Sequence, residues 1–229
     1  MLGVGDMSVA ILIPSTGYVP VEFAVSLVLG VSNTRVKTSI ITNKAPGVDL
    51  SRNALVINAL KTDAEYFLFW DTDVIPFRYT EDGRLEPFIG VVQYMYDLAE
   101  SKRERIVSGV YFGKNGMPTI YNVDIDRYVK TGELDWKPYG IVLGKQYYVD
   151  AIGLGLALIH RSVFEDLEYP WFKYIFEYKD GRVFEVSEDI YFSINARKRG
   201  YRILVDTSIF GKHIMEGYML HDGRVEVLG

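Results

Sequence analysis

The sequence predicts an α/β fold, a single domain with a mostly parallel central sheet flanked by helices, on three observations. Short apolar runs alternate with helical stretches through the first half of the chain. The best of these runs is continuous rather than alternating, as in a strand covered on both faces. Polar residues follow it at once, where open sheets of this kind bind ligands. With 229 residues, 48% of them apolar and 24% charged, the chain has material for one sizeable core, which excludes disordered and collagen-like classes.

Val9 to Ile13 reads as the first strand, ended by Pro14-Ser15-Thr16-Gly17, and Val21 to Gly30 carries apolar residues at helical spacing. Thr38 to Thr42 is a β-branched second strand, and after the Pro46-Gly47 break Leu50 to Lys61 is helical. Tyr66 to Trp70 is the unbroken apolar run, and it stops at Asp71-Thr72-Asp73. A helix from about Pro87 to Lys102 and a strand from Ile106 to Tyr111 complete a βαβαβαβ order. From Gly113 to Tyr148 periodicity is weak and hairpins and loops are expected. Val149 to Ile159 holds one or two strands around Gly153-Leu154-Gly155, followed by a helix over Arg161 to Leu167 that Pro170-Trp171-Phe172 breaks. Lys179-Asp180-Gly181-Arg182 is a turn between two aromatic strands. A helix over Ser187 to Arg199, a strand over Arg202 to Val205 and a tail carrying His213 finish the chain.

Composition narrows the function. There are 25 Lys and Arg against 30 Asp and Glu, a net charge of −5, so no basic excess is available to neutralise extended nucleic acid. The absence of Cys removes disulfides, thiolate metal sites and cysteine nucleophiles. The start of the chain lacks the basic region of a secretory signal, and no apolar stretch reaches the ~20 residues of a membrane span. A soluble cytoplasmic protein is expected, at most peripherally attached to a membrane.

Asp71 and Asp73 stand two residues apart where an extended chain ends, so their carboxylates can converge on a hard divalent ion that leaves other positions to water and phosphate oxygens. Ser187-Glu188-Asp189 opens a helix; Ser187 suits an N-cap and the acids suit the helix dipole, yet either carboxylate can also serve as general base to an attacking hydroxyl. The residues alone do not choose between Glu188 and Asp189. A neutral His213 can add a third metal ligand, and Lys212 beside it can screen phosphate charge. His160 and His221 have no such neighbours and are assigned no chemistry. Gly3-Val4-Gly5 and Gly153-Leu154-Gly155 fall short of a dinucleotide fingerprint, and no P-loop or nucleophile elbow occurs. Arg197, Lys198 and Arg199 read as a solvated helix end.

Taken in order, Ile13-Pro14-Ser15-Thr16, Arg52-Asn53-Ala54, Asp71-Thr72-Asp73, Gly153-Leu154-Gly155, Glu188-Asp189 and His213 resemble the nucleotide-diphospho-sugar glycosyltransferases of the GT-A fold, most like the family 2 type. The resemblance spans Ile11 to His213. It implies a Rossmann-like GT-A domain over residues 1–229, with 1–112 as the nucleotide-binding half and 113–229 as the acceptor-side half. It places Pro14, Ser15 and Thr16 at the nucleotide base, Asn43 near base or ribose, and Arg52 and Asn53 along the same pocket. Asp71 and Thr72 would meet the donor, with Asp71 on ribose or a metal-bound water, and Asp71, Asp73 and His213 form the candidate set for Mn²⁺ or Mg²⁺. Gly153, Leu154, Gly155, Trp171 and Phe172 would frame sugar and acceptor, and Asp189 becomes the favoured base.

The implied reaction is metal-dependent transfer of a sugar from a nucleotide-diphosphate donor to an acceptor hydroxyl of a glycan, protein, lipid or small molecule. A single displacement would invert the anomeric centre. The chain departs from the family in carrying Asn195-Ala196-Arg197-Lys198-Arg199 where processive synthases have a Q-x-x-R-W segment, which argues against a processive polysaccharide synthase. Rival readings are a sugar-phosphate nucleotidylyltransferase, whose Gly-rich, Arg-bearing loop is absent after the first strand, a non-catalytic carbohydrate-binding protein of the same fold, and a metal-dependent nuclease, which the net charge disfavours.

Overall fold

The most deeply buried strands form where the chain is most continuously apolar, because both of their faces are covered. The computed structural model describes residues 8–15, 17–113, 116–124, 127, 136–138, 140–179, 182–214, 217–219 and 225–227. Gly3-Val4-Gly5, Thr16, the Asp180-Gly181 turn and His221 lie outside them.

Strands β1 (Ser8–Pro14), β2 (Lys37–Asn43), β3 (Tyr66–Trp70) and β6 (Ile106–Tyr111) alternate with helices α1 (Val21–Val31), α2 (Val48–Ala59) and α3 (Val91–Lys102). Between β3 and α3 lies a hairpin of β4 (Val74–Tyr79) and β5 (Leu85–Pro87). Then come β7 (Ile120–Val123), β8 (Trp136–Pro138), β9 (Gln146–Val149), β10 (Ala151–Ile152), β11 (Leu156–His160) and the short helix α4 (Arg161–Asp166). The hairpin β12 (Ile175–Lys179) and β13 (Arg182–Val186), helix α5 (Glu188–Lys198), the long β14 (Ile203–Ile214), β15 (Gly217–Met219) and β16 (Val225–Val227) follow.

The central sheet runs β2-β1-β3-β11-β6-β14, and every strand of that series points the same way except β11, which lies antiparallel between β3 and β6. It is a mostly parallel sheet flanked by helices, in a single Rossmann-like domain. The pleat divides its side chains between two layers. Ala10, Leu12, Phe67 and Phe69 face a core shared with Leu55 and Val56 of α2, Phe164 of α4 and Phe192 of α5. Val9, Ile11, Leu68 and Trp70 face the other layer, with Phe23 of α1 and Val91 and Met95 of α3. All five residues of β3 are buried, which is why that run shows no alternation.

Three expectations change. The helix expected from Pro87 begins at Val91, because Pro87 closes β5 and Gly90 turns the chain at φ 76°. The hairpin before it has no anticipation in the sequence; Pro76 interrupts its pattern, yet sits in β4 opposite Gly211 of β14. The final strand does not stop at Val205. It continues to Ile214 past an irregularity between Val205 and Phe210, where its antiparallel partner changes from β9 to β4. His213 is therefore a strand residue and not part of a tail. Among the described residues no helix is long and apolar enough to cross a membrane.

His160 has a structural use. As N-cap of α4 its Nδ1 accepts from the Ser162 backbone N–H at 3.1 Å, and its ring meets Tyr66 edge-on at 4.9 Å. Burial, with help from the Arg105 charge, lowers its pKa from 6.5 to about 4. The unfolded chain takes up this proton near 6.5 and the folded chain only near 4, so the stability drawn from the neutral ring is lost as pH falls between them. That loss is on the order of 2 kcal/mol after allowing for partial exposure. In chemical denaturation across this range, His160→Asn should keep the cap and remove this part of the slope; an unchanged slope would show that another group titrates.

Candidate functional site

The site gathers at the carboxyl ends of β1 and β3, the start of α2, the start of α5 and the far end of β14. Within α2 the polar Ser51-Arg52-Asn53 are buried, and beyond them the apolar Leu55, Val56 and Ala59 reach into the core. The Arg52 guanidinium, 4% exposed, donates through Nη2 to both oxygens of Asp71 at 3.1 and 2.9 Å and through Nη1 to Glu188. Burial alone would lower its pKa, but Asp71, Glu188 and Asp189 together raise it above its ordinary value, so it stays charged. Its Nε is buried without a hydrogen-bond partner among the described residues.

Burial raises the pKa of both carboxyls, and Arg52 opposes the rise. Asp73 adds to it at Asp71, and Asp189 adds to it at Glu188. Tyr174 hydrogen-bonds Glu188; burial and that carboxylate hold its phenol protonated well past its usual range. Asp189 is less buried than Glu188. Its Oδ1 accepts from the Ile190 backbone N–H at 2.8 Å and from the Ser187 hydroxyl, which therefore caps no backbone group.

Asp71 is fixed by its backbone as well: its N–H donates to the Gly155 carbonyl at 2.9 Å, and the Trp70 indole N–H closes the Asp71 to Asp73 turn on the Val74 carbonyl. Asp73 faces His213. The β4–β14 ladder sets His213 opposite Val74, and the Ile214 N–H donates to the Asp73 carbonyl at 2.6 Å. His213 Nε2 lies 2.9 Å from Asp73 Oδ2, and Nδ1 lies 3.3 Å from the Phe112 carbonyl. Burial works to lower the His213 pKa, but the Asp73 hydrogen bond and charge outweigh it and raise the pKa.

The Asp73–His213 pair fits a divalent ion. Two neighbouring ligands on an octahedral ion at about 2.1 Å stand about 3 Å apart, and a His Nδ1–H donated to a carbonyl leaves the Nε2 lone pair for a metal. Four carboxylates, Asp71, Asp73, Glu188 and Asp189, act on one another here around a single guanidinium, an excess of negative charge that a cation would offset. Asp71 does not complete a third ligand position, since both of its oxygens are engaged by Arg52. Among the described residues no three His, Asp or Glu side chains converge as a ready metal cage.

A cleft of about 270 Å³ opens beside these groups, lined by Pro14, Ser15, Gly47, Ser51, Thr72 and Asp73 among others. An adjoining cavity of about 620 Å³ shares Ser15 with it and is walled by Phe23, Leu27, Ile40, Asn43 and Lys44. Pro14, Ser15, Asn43, Thr72 and both Asp residues thus border open space. Another cavity, of about 570 Å³ beside Arg78, Tyr79 and Lys145, touches none of these residues.

Other expected positions lie elsewhere. Asn53 is buried and gives its side chain to backbone, donating to the Asp49 and Phe172 carbonyls and accepting from the N–H groups of Trp171 and Phe172. Trp171 and Phe172 are core residues, packed on Phe164 and, for Phe172, on Phe69 and Phe192. Leu154 is fully buried, and Lys212 sits 4.5 Å above the Phe77 ring. Gly153 and Gly155 make room for Tyr111, whose hydroxyl accepts from the Gly155 N–H; a Cβ on Gly155 would stand 2.8 Å from the Tyr111 ring. Tyr111 also meets His213 edge-on, and it was not anticipated, although a polar-tipped residue at the carboxyl end of a strand is the signal that marked Asp71. Tyr174 and Ser51 are the other unforeseen members.

No family model matches the sequence, and no curated protein matches it significantly. Among solved structures, A197 from STIV superposes with a TM-score of 0.66 at 18% identity over 97% of this chain and 95% of that one, which establishes a shared fold. The 4-diphosphocytidyl-2C-methyl-D-erythritol synthase of Anaerococcus prevotii (12% identity, 72% of this chain and 79% of that one) and HddC of Yersinia pseudotuberculosis complexed with GMP-PN (12%, 84% and 99%) both score 0.33, too low to carry an argument.

Removing Arg52 leaves the buried Glu188 and the partly buried Asp71 without their cation. Arg52→Gln should cost about 3–5 kcal/mol in urea unfolding at pH 7. Because both carboxyls already hold their protons to higher pH than usual, the deficit should shrink as pH falls from 7 to 5; a deficit that stays constant would mean that the loss is one of packing.

Proposed function

We propose that the protein is a metal-dependent glycosyltransferase that moves a sugar from a nucleotide-diphosphate donor to an acceptor hydroxyl. The observation that carries this reading is the Arg52 clamp, which joins Asp71 at the end of β3 to Glu188 at the start of α5 beside the Asp73–His213 pair. Residues distant in sequence that resemble the donor, metal and base motifs of one family thereby come together beside one cleft.

Asp73 and His213 would hold Mn²⁺ or Mg²⁺, which supplies positive charge to the departing diphosphate. The chain's own residues do the rest. The base and ribose lie in the cleft and adjoining cavity between Pro14, Ser15 and Asn43, with Asp71 held by Arg52 to face the ribose. Glu188, buried and engaged by Arg52 and Tyr174, fixes the start of α5. Asp189, less buried and oriented by Ser187 and the Ile190 N–H, is the base. The acceptor oxygen bonds to the anomeric carbon as the carbon–oxygen bond to the diphosphate breaks, and the acceptor proton passes to Asp189. One displacement of this kind inverts the anomeric centre.

Thermal stabilisation by UDP, GDP, CDP and dTDP, each with Mn²⁺ and then with chelator, tests the donor site. One nucleotide should raise Tm only with metal, and Asp73→Ala should abolish that shift. Asp189→Asn should keep the shift while slowing release of nucleoside diphosphate from the matching sugar donor by about 100-fold or more. Full activity in Asp189→Asn would reject the base, and no shift with any nucleotide would reject the donor.

A further inference from the structure

The aromatic residues that meet solvent near the site are not Trp171 and Phe172 but those just after them. Phe176 and Tyr178 occupy alternate positions of β12 and so share one face, and the ring of Tyr174, just before the strand, lies against Phe176. At the base of the hairpin the opposite face meets the core: Val186, paired with Ile175, packs on Ile190 and Ile194 of α5. Phe176 and Tyr178 lie on the other face, away from that contact. Phe176 is 64% exposed and Tyr178 78% exposed. Leaving two neighbouring rings in water is unfavourable unless something covers them.

The placement says what that is. Tyr174, at the inner end of the row, hydrogen-bonds Glu188, next to the proposed base Asp189. Its ring lies within 15° of parallel to Phe176, with centroids 6.1 Å apart, close to the length of one sugar unit. Glu185 is directly opposite Phe176 in the antiparallel register, on the same face, and exposed. We infer that this face is an acceptor platform and that the acceptor is a carbohydrate chain, laid over Tyr178 and Phe176 with the receiving hydroxyl at Asp189. The weakly positive C–H faces of sugar rings meet the negative faces of the aromatics. The Glu185 carboxylate accepts from sugar hydroxyls. The same carboxylate opposes docking on an anionic lipid surface.

This inference rests on the glycosyltransferase reading, and its test separates the two. The probe is native electrophoresis through gels containing glycogen, mannan, xylan or a mixed-linkage β-glucan. At least one polysaccharide should retard the protein, and Phe176→Ala/Tyr178→Ala should weaken that retardation by about five-fold or more. Phe176→Trp/Tyr178→Trp should retain it, and so should Asp73→Ala, with Tm confirming that each variant folds. Retardation by none of the gels, or retardation unchanged in the double-alanine variant, overturns the platform. So does a double-alanine variant whose only loss is binding to phosphatidylcholine–phosphatidylglycerol vesicles or self-association on a sizing column. If polysaccharide binding behaves as expected while no nucleotide binds with Mn²⁺, the platform stands and the glycosyltransferase reading fails.

Discussion

One guanidinium holds the site together. Arg52 has almost no contact with water, and it is retained as an ion because two carboxylates from distant parts of the chain meet it there. Such a group adds little net stability, since desolvation offsets much of the attraction. What it contributes is placement. Asp71 comes from the sheet and Glu188 from a helix start, and a single planar cation with two forks fixes both at once. Asp73, on the turn after Asp71, and Asp189, next after Glu188, take their positions from that anchor.

The fold was legible where both faces of a strand are covered, because continuous burial writes itself as a continuous apolar run; Tyr66 to Trp70 shows this plainly. The Asp pair at its end could be read for the same reason. The site's internal wiring could not. An Arg in the second turn of a helix gives no sign that its partners lie 19 and 136 residues further on. Nor does a string of aromatics between Tyr169 and Tyr178 reveal which rings go inward. Trp171 and Phe172 are drawn into the core by Asn53, whose side-chain amide satisfies their backbone groups. The rings that remain outside begin two residues later. Its neighbours mark His213 in the sequence, but its strand is hidden there because Asp206-Thr207-Ser208 breaks the apolar pattern of β14.

The glycines of the Gly153-Leu154-Gly155 segment illustrate a related economy. Their absent side chains do not admit a ligand directly. They admit Tyr111, which stands between the Asp71 turn and the His213 ring. The Tyr111 hydroxyl and the Gly155 carbonyl fix the same short loop from two directions, so the Asp71 turn and the end of β14 are registered against a common support.

The antiparallel strand β11 has a consequence for how the chain reaches this state. It is the wedge between β3 and β6, and neither can pair with the other without it. A ribosome that has made everything through Tyr111 has produced one piece of the central sheet, β2-β1-β3, and a strand, β6, whose two neighbours there are still to come. Both wait for residues some fifty positions downstream. Closure is thus a late, long-range event, of the sort that slows folding and leaves strand edges open to other chains in the interval. Production of this protein in quantity will be governed by how that interval is shielded as much as by the stability of the finished fold.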